Sequence, residues 1–151
     1  MHYEVYSKDM LSSTTRAFGS PLRYVQGQGE FGRLPLYTAP YGNACVIIDG
    51  FLYQDLNARL EKAYAESDAK FVSISFNGEC CEEEVERIGK IARENGAAVI
   101  VGAGGGKTMD TAKICADEMG LPVIIAPSSA STDAPVSEIA VVYKPDGEYI
   151  G

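Results

Sequence analysis

Short apolar runs and longer amphipathic stretches alternate along most of the chain. Three runs are almost wholly apolar and are followed by turn residues, a pattern that predicts strands buried on both faces of a sheet. These runs cover residues 44–48, 97–101 and 122–126. Residues 70–76 are also strand-like, and residues 22–26 predict a further short strand.

Three stretches between these runs predict helices. Residues 54–66 and 82–95 repeat their apolar residues at helical spacing. Residues 106–119 predict a third helix, which Gly120 and Pro122 would end. Strands and helices that alternate with short connections predict an α/β fold. We therefore expect a Rossmann-like, doubly wound and mostly parallel sheet, with helices on both faces.

The two ends of the chain differ from this pattern. Residues 1–17 show no periodicity and predict an arm or an irregular strand, so the α/β domain is expected to cover residues 18–151. Near the other end, residues 138–143 and 148–150 flank the turn sequence Pro145-Asp146-Gly147. This arrangement predicts a C-terminal β-hairpin.

Composition limits the classes of function. The chain has 151 residues, which suits one domain, and its 13 basic and 21 acidic residues give a net charge of −8 that disfavours nucleic acid. No apolar run is long enough to span a membrane and the first residues lack a signal peptide's apolar stretch, so a cytoplasmic protein is expected. The four cysteines form no CxxC pair and the single histidine is His2, so a zinc site at the usual ligand spacing is not predicted.

The strongest chemical signal is a glycine-rich turn between a predicted strand and a predicted helix. Its glycines are followed directly by Lys107, and they stand at Gly102, Gly104, Gly105 and Gly106. Glycines allow a close backbone approach, and a helix start offers free amides and partial positive charge, so this turn predicts a phosphate site. The P-loop pattern fails because Val101 stands where its first glycine is needed, and GxGxxG fails in either register.

Two segments together resemble the glycerol dehydrogenases, which are metal-dependent polyol dehydrogenases related to the iron-containing alcohol dehydrogenases and dehydroquinate synthase. They are Gly104-Gly-Gly-Lys-Thr-Met-Asp-Thr-Ala-Lys113 and Ala126-Pro-Ser-Ser-Ala-Ser-Thr-Asp-Ala-Pro135. The resemblance covers about residues 18–151. It implies the NAD-binding half of an enzyme that oxidises glycerol to dihydroxyacetone.

The resemblance also implies roles for individual residues. Asp49 is expected to bind the adenosine ribose and to favour NAD over NADP, and Asp133 is expected to hold a glycerol hydroxyl. The other residues expected to contact the cofactor are Gly104, Gly105, Gly106, Lys107, Asp110, Ser128, Ser131, Ser137, Ile139 and Tyr143. Ser128 and Ile139 stand where the family commonly has Thr and Leu, which preserves a hydroxyl and an aliphatic surface.

The resemblance also implies a catalytic metal, usually zinc. In the family this metal is bound by one Asp and two His of a helical second domain. These 151 residues have one histidine and no predicted second domain, so the resemblance implies a cofactor half that is inactive alone. Its implied partners are NAD(H), a small polyol, the helical half and further copies of the complete enzyme. Two alternatives stay open: a glycerol-phosphate or other polyol dehydrogenase of the superfamily, and a non-catalytic nucleotide-binding module.

Overall fold

The fold is known from a computed structural model that describes residues 20–137 and 140–149. Four parallel strands form one sheet, in the spatial order β2-β1-β3-β4. Their bounds are Ala44–Ile48 for β1, Phe71–Ser75 for β2, Val99–Gly104 for β3 and Val123–Pro127 for β4. The predicted parallel sheet is confirmed.

Helices cover both faces of this sheet. They are α1, Leu34–Thr38; α2, Tyr53–Ala65; α3, Glu82–Glu94; and α4, Gly106–Met119. Side chains of α1 and α2 pack on one face with Val46, Ile48 and Val101, whereas α3 and α4 pack on the other with Ile47 and Ile100. The doubly wound arrangement is therefore confirmed, and two short 3-10 turns at Glu30–Arg33 and Gly50–Leu52 complete the helical structure of the described residues.

Burial is most complete in the two central strands, because β1 and β3 have neighbours on both edges and helices on both faces. All four cysteines are buried and free. Burial raises the pKa of the Cys45 thiol to about 12, and burial likewise raises that of Cys115 to about 12. These thiols therefore act as small apolar core groups.

Two strand predictions need correction. Residues 22–26 do not form a strand: Leu22 is 92% and Tyr24 73% exposed, and no ladder joins this segment to the described strands. A strand forms only where a neighbour completes its hydrogen bonds, which a local apolar pattern cannot reveal. The strand at 122–126 exists as β4 but is only partly buried, because among the described residues it pairs with β3 alone.

Of the predicted C-terminal hairpin, the described residues form a turn closed by one antiparallel bridge. Tyr143 and Tyr149 form an isolated antiparallel bridge, and the Lys144 amide donates to the Glu148 carbonyl at 2.7 Å. Positions 138, 139 and 150, which the prediction included, lie outside the described residues. Within the described ranges, no helix is both long and apolar enough to cross a lipid bilayer.

Candidate functional site

The carboxyl ends of β1 and β3 meet at a point where the chain changes direction across the sheet. From β1 the chain passes through α2 to β2 on one side, and then returns through α3 to β3 on the other side. Ligands of doubly wound folds bind in the crevice at this switch point. Asp49 follows β1 and the glycine-rich turn follows β3, so the topology places both predicted features there.

The glycine-rich turn presents the start of a 14-residue helix to this crevice. The amide of Met109 donates to the Gly105 carbonyl at 3.0 Å, as the first helical hydrogen bond of α4. The amides of Gly106, Lys107 and Thr108 precede that bond, so they have no acceptor one turn earlier within the helix. Together with the helix dipole, they form the kind of backbone site that binds an anion.

Two glycines of the turn are required by close packing. A Cβ atom on Gly104 would lie 2.7 Å from the Asp49 Cβ, and one on Gly102 would lie 2.7 Å from the Ala112 Cβ. Gly104 therefore allows the turn to approach Asp49, whereas Gly102 allows α4 to pack onto β3. Since Gly102 is buried beneath the helix, its role is structural.

The Asp49 carboxylate faces the glycine-rich turn. Its Oδ2 accepts long hydrogen bonds, both at 3.4 Å, from the Gly105 amide and the Thr108 hydroxyl. The carboxylate thus stays at the rim of the crevice, partly exposed to solvent. That position suits a hydrogen-bond acceptor for a ligand hydroxyl, while the assignment of that ligand to ribose stays a prediction.

Lys107 lies at the start of α4 and is held by two other segments. Its Nζ donates to Glu79 Oε2 at 2.7 Å and lies 4.9 Å from the centre of the Tyr143 ring. The hydrogen bond to Glu79 raises the pKa of the Lys107 ammonium, so this side chain is charged at neutral pH. Half of the side chain is exposed, which leaves it accessible to an anion.

The Asp110 carboxylate makes two hydrogen bonds within the protein, whatever its contact with a cofactor. Its Oδ1 accepts from Lys113 Nζ and its Oδ2 accepts from the Val141 amide, both at 3.2 Å. The side chain is almost fully buried. Asp110 therefore joins the N-terminal half of α4 to residues 140–149, and its predicted place near a cofactor remains a prediction.

The loop after β4 folds back over the glycine-rich turn. The Ser128 amide donates to the Gly104 carbonyl at 3.0 Å, and a Cβ on Gly106 would lie 3.9 Å from Thr132 Oγ1. Further along, the Asp133 carbonyl accepts the amides of Val136 and Ser137, each at 2.9 Å. The loop thus reaches the predicted phosphate site.

Most of the side chains predicted to contact substrate and nicotinamide lie in the loop after β4. Ser128, Ser131 and Asp133 are exposed to solvent, while Ser137 is partly buried. Ile139 lies outside the described residues. The structure thus brings Asp49, the glycines, Lys107, Ser128 and Tyr143 to one edge, while the ligand roles of all these residues stay predictions.

Sequence reasoning missed two residues at this edge. Glu79 binds Lys107 from the loop after β2, and Phe51, two residues after Asp49, is 82% exposed. Both follow the carboxyl end of a strand, which is the available signal, since ligand-binding groups of such sheets concentrate there.

Across residues 20–137 and 140–149, no three His, Cys, Asp or Glu side chains come together in a group that could hold a metal ion. The residues described therefore offer no fit for a catalytic metal.

Comparison with known proteins gives a consistent result. Residues 21–150 match the family model of the iron-containing alcohol dehydrogenases. The chain is 42% identical over 139 residues to a glycerol dehydrogenase of Pseudomonas putida, with 89% of this chain and 37% of that protein covered. It is 35% identical over 136 residues to a glycolaldehyde reductase of Halobacterium salinarum, again with 89% and 37% covered.

Solved structures agree with this result. A probable glycerol dehydrogenase from Sinorhizobium meliloti superposes with a TM-score of 0.82 at 45% identity, covering 91% of this chain and 37% of that one. The chain thus spans little more than a third of the length of these relatives. With a family match along most of its length and a shared α/β fold, the chain belongs to the iron-containing alcohol dehydrogenase family.

Proposed function

We propose that this chain is the NAD-binding part of an NAD-linked glycerol dehydrogenase. One observation supports the proposal above the others: the glycine-rich turn, its open helix amides and the charged Lys107 meet at the switch point beside Asp49. An anion site next to a carboxylate suits a dinucleotide, which presents phosphates and ribose hydroxyls a short distance apart.

Each residue would then have a defined task. Amides of Gly106 and its neighbours, with Lys107, would bind the pyrophosphate, and Asp49 would accept hydrogen bonds from the adenosine ribose. A carboxylate in that place repels a 2′-phosphate, which favours NAD over NADP. The nicotinamide, when bound, supplies the hydride acceptor.

The substrate is proposed to be glycerol or a similar small polyol. The support is the identity to proteins named glycerol dehydrogenases, together with Asp133 in the exposed loop after β4. A glycerol phosphate is a weaker candidate, because the sequence has no Lys or Arg between Lys113 and Lys144, where a basic contact to a substrate phosphate would be expected.

The whole protein's activity needs more than these residues. Because the chain spans 37% of its relatives and has one histidine, His2, we propose that a further helical part supplies the metal ligands for alcohol oxidation. The complete enzyme would work in the cytoplasm as a homo-oligomer. The alternative is a non-catalytic nucleotide-binding module, which would have the same cofactor site and would not oxidise an alcohol.

The proposal is tested by NADH binding to the 151-residue chain and to Lys107→Ala, measured by calorimetry. We expect the parent to bind NADH weakly, because the 151-residue chain spans 37% of its relatives' length and the complete enzyme would add further contacts. We expect the variant to lose about 1–2 kcal/mol of binding free energy, the size of a charge-assisted hydrogen bond.

Lys90→Ala is the matched control, since Lys90 is an exposed lysine of α3 and its loss changes the net charge equally. Its affinity for NADH should equal that of the parent. A parent chain that binds no NADH would refute the proposed function, and equal affinities for the parent and Lys107→Ala would remove Lys107 from the site.

A further inference from the structure

The lysine of the predicted phosphate site already has an anionic partner. Glu79 Oε2 lies 2.7 Å from Lys107 Nζ, and the Glu79 side chain is 21% exposed, against 48% for the lysine. An ammonium at this distance from a carboxylate has most of its charge balanced locally. The side chains at the site therefore attract a phosphate less than an isolated lysine would.

The loop that positions Glu79 is held at several points. The Asn77 amide donates to the buried Glu84 carboxylate at 2.9 Å, and Arg87 joins Glu84 to the Ser75 carbonyl. On the far side, the Cys80 carbonyl accepts the Tyr143 amide at 2.8 Å. Glu79 is therefore presented to Lys107 by a loop with fixed ends.

The Glu79 carboxylate depends on Lys107 for its stabilisation. Its Oε1 is buried and receives no hydrogen bond from the described residues, and a Cβ on Gly147 would lie 3.6 Å from Oε2. A carboxylate covered in this way is costly to leave without a cation. Lys107 would therefore keep its bond to Glu79 while its remaining ammonium hydrogens reach a phosphate.

We propose that Glu79 lowers the positive charge that Lys107 brings to the phosphate site and so limits how tightly that site holds the cofactor's phosphates. This inference rests on the proposed function. Glu79 is a positioning and affinity-determining residue in this role, since it acts through Lys107. Its loss would strengthen phosphate binding, whereas the loss of an ordinary contact residue would weaken it.

The test compares the parent chain with Glu79→Gln, using ADP and adenosine as probes and ligand-observed NMR to obtain both dissociation constants. We expect ADP to bind about two- to fivefold more tightly to the variant, the size of effect found for one ion pair that solvent still reaches on its lysine side. Adenosine, which has no phosphate, should bind equally to both. The gain for ADP should shrink in high salt, because added ions screen the charge.

Glu86→Gln is the control, since Glu86 is exposed on α3 and its substitution changes the net charge by the same amount. It should leave both dissociation constants unchanged. Glu79→Ala serves as a second variant and should lower the dissociation constant of ADP as Glu79→Gln does. Urea unfolding shows whether each variant is folded.

Unchanged or weaker ADP binding by the folded Glu79 variants would overturn the inference. An equal gain in affinity for adenosine would also overturn it, because the substitution would then have changed the site in a way that does not depend on phosphate. If the parent binds neither ADP nor NADH, the proposed function itself fails, an outcome distinct from a Glu79 substitution without effect.

Discussion

At the scale of single residues, the turn between β3 and α4 separates two uses of glycine. Gly102 makes room for Ala112 of α4, and Gly104 makes room for Asp49 across the crevice. In both places a side chain would collide with an atom 2.7 Å away. The glycine run therefore combines packing with the exposure of helix amides, and only the second property concerns a ligand directly.

Asp49 is expected to select between NADH and NADPH. Asp49→Asn replaces the carboxylate by a neutral amide. The ratio of the NADPH dissociation constant to the NADH dissociation constant should fall about fivefold, because one repulsive charge pair in water is removed. Asp49→Ala should act in the same direction. Both constants can be measured by calorimetry.

Asp55→Asn is a suitable control, because Asp55 is an exposed carboxylate of α2 that pairs with Arg59. It should leave the ratio of the two constants as in the parent. An unchanged ratio in both Asp49 variants would show that another residue selects the cofactor.

At the scale of elements, α4 connects three parts of the site. Its first turn presents the amides and Lys107, Asp110 binds residues 140–149, and its inner face packs on β3. A change in the docking of residues 140–149 would therefore move Tyr143, whose ring lies against Lys107. The helix is thus both a structural support and a part of the proposed binding surface.

Asp110→Ala should loosen this connection. The substitution removes the acceptor of the Val141 amide and the carboxylate beside Lys113, so we expect about 1–2 kcal/mol less stability in urea unfolding. Hydrogen exchange at the Val141 amide should accelerate as well. Asp117→Ala, at an exposed position of the same helix, should change neither value.

If Val141 exchanges equally fast in the parent and Asp110→Ala, the contact does not hold residues 140–149 in solution. Lower global stability without faster exchange at Val141 would instead assign Asp110 to the helix alone, through its ion pair with Lys113.

At the scale of the whole molecule, the proposed cofactor site is separate from the residues that would carry out the proposed oxidation. The described residues provide the open helix amides and the carboxylate of the proposed site, while the relatives extend well beyond the matched region. Alcohol oxidation needs a way to stabilise an alkoxide, because an ordinary hydroxyl loses its proton only near the pKa of water, about 15.7.

We therefore expect no zinc-dependent oxidation of glycerol by the 151-residue chain, even with saturating NAD. The measurement is NADH absorbance with glycerol, with and without added zinc, on protein first treated with a chelator. Supplying the helical part of a relative, fused or added separately, is expected to restore turnover. Turnover by the chain alone that a chelator abolishes would show a metal site within these residues.

Much of the fold could be predicted from the sequence. Strand β1 and helix α4 have the predicted bounds, because a fully apolar run and a glycine–proline stop are strong local signals. The short α1 was not predicted, since five residues are too few for a periodicity to show. The end of β3 lies beyond the prediction, because Gly102 and Gly104 resemble turn residues although the backbone pairs with β1 and β4.

The sequence by itself determined the alternation of strands and helices, the glycine-rich turn and the family, because these depend on residue type and local spacing. Tertiary structure decided which charges meet. Lys107 binds Glu79, which is 28 positions away, and Asp110 binds the Val141 amide, 31 positions away. It also decided that residues 22–26 do not form a strand. Pairing between distant segments depends on their geometry in three dimensions, and local hydrophobic periodicity contains no information about it.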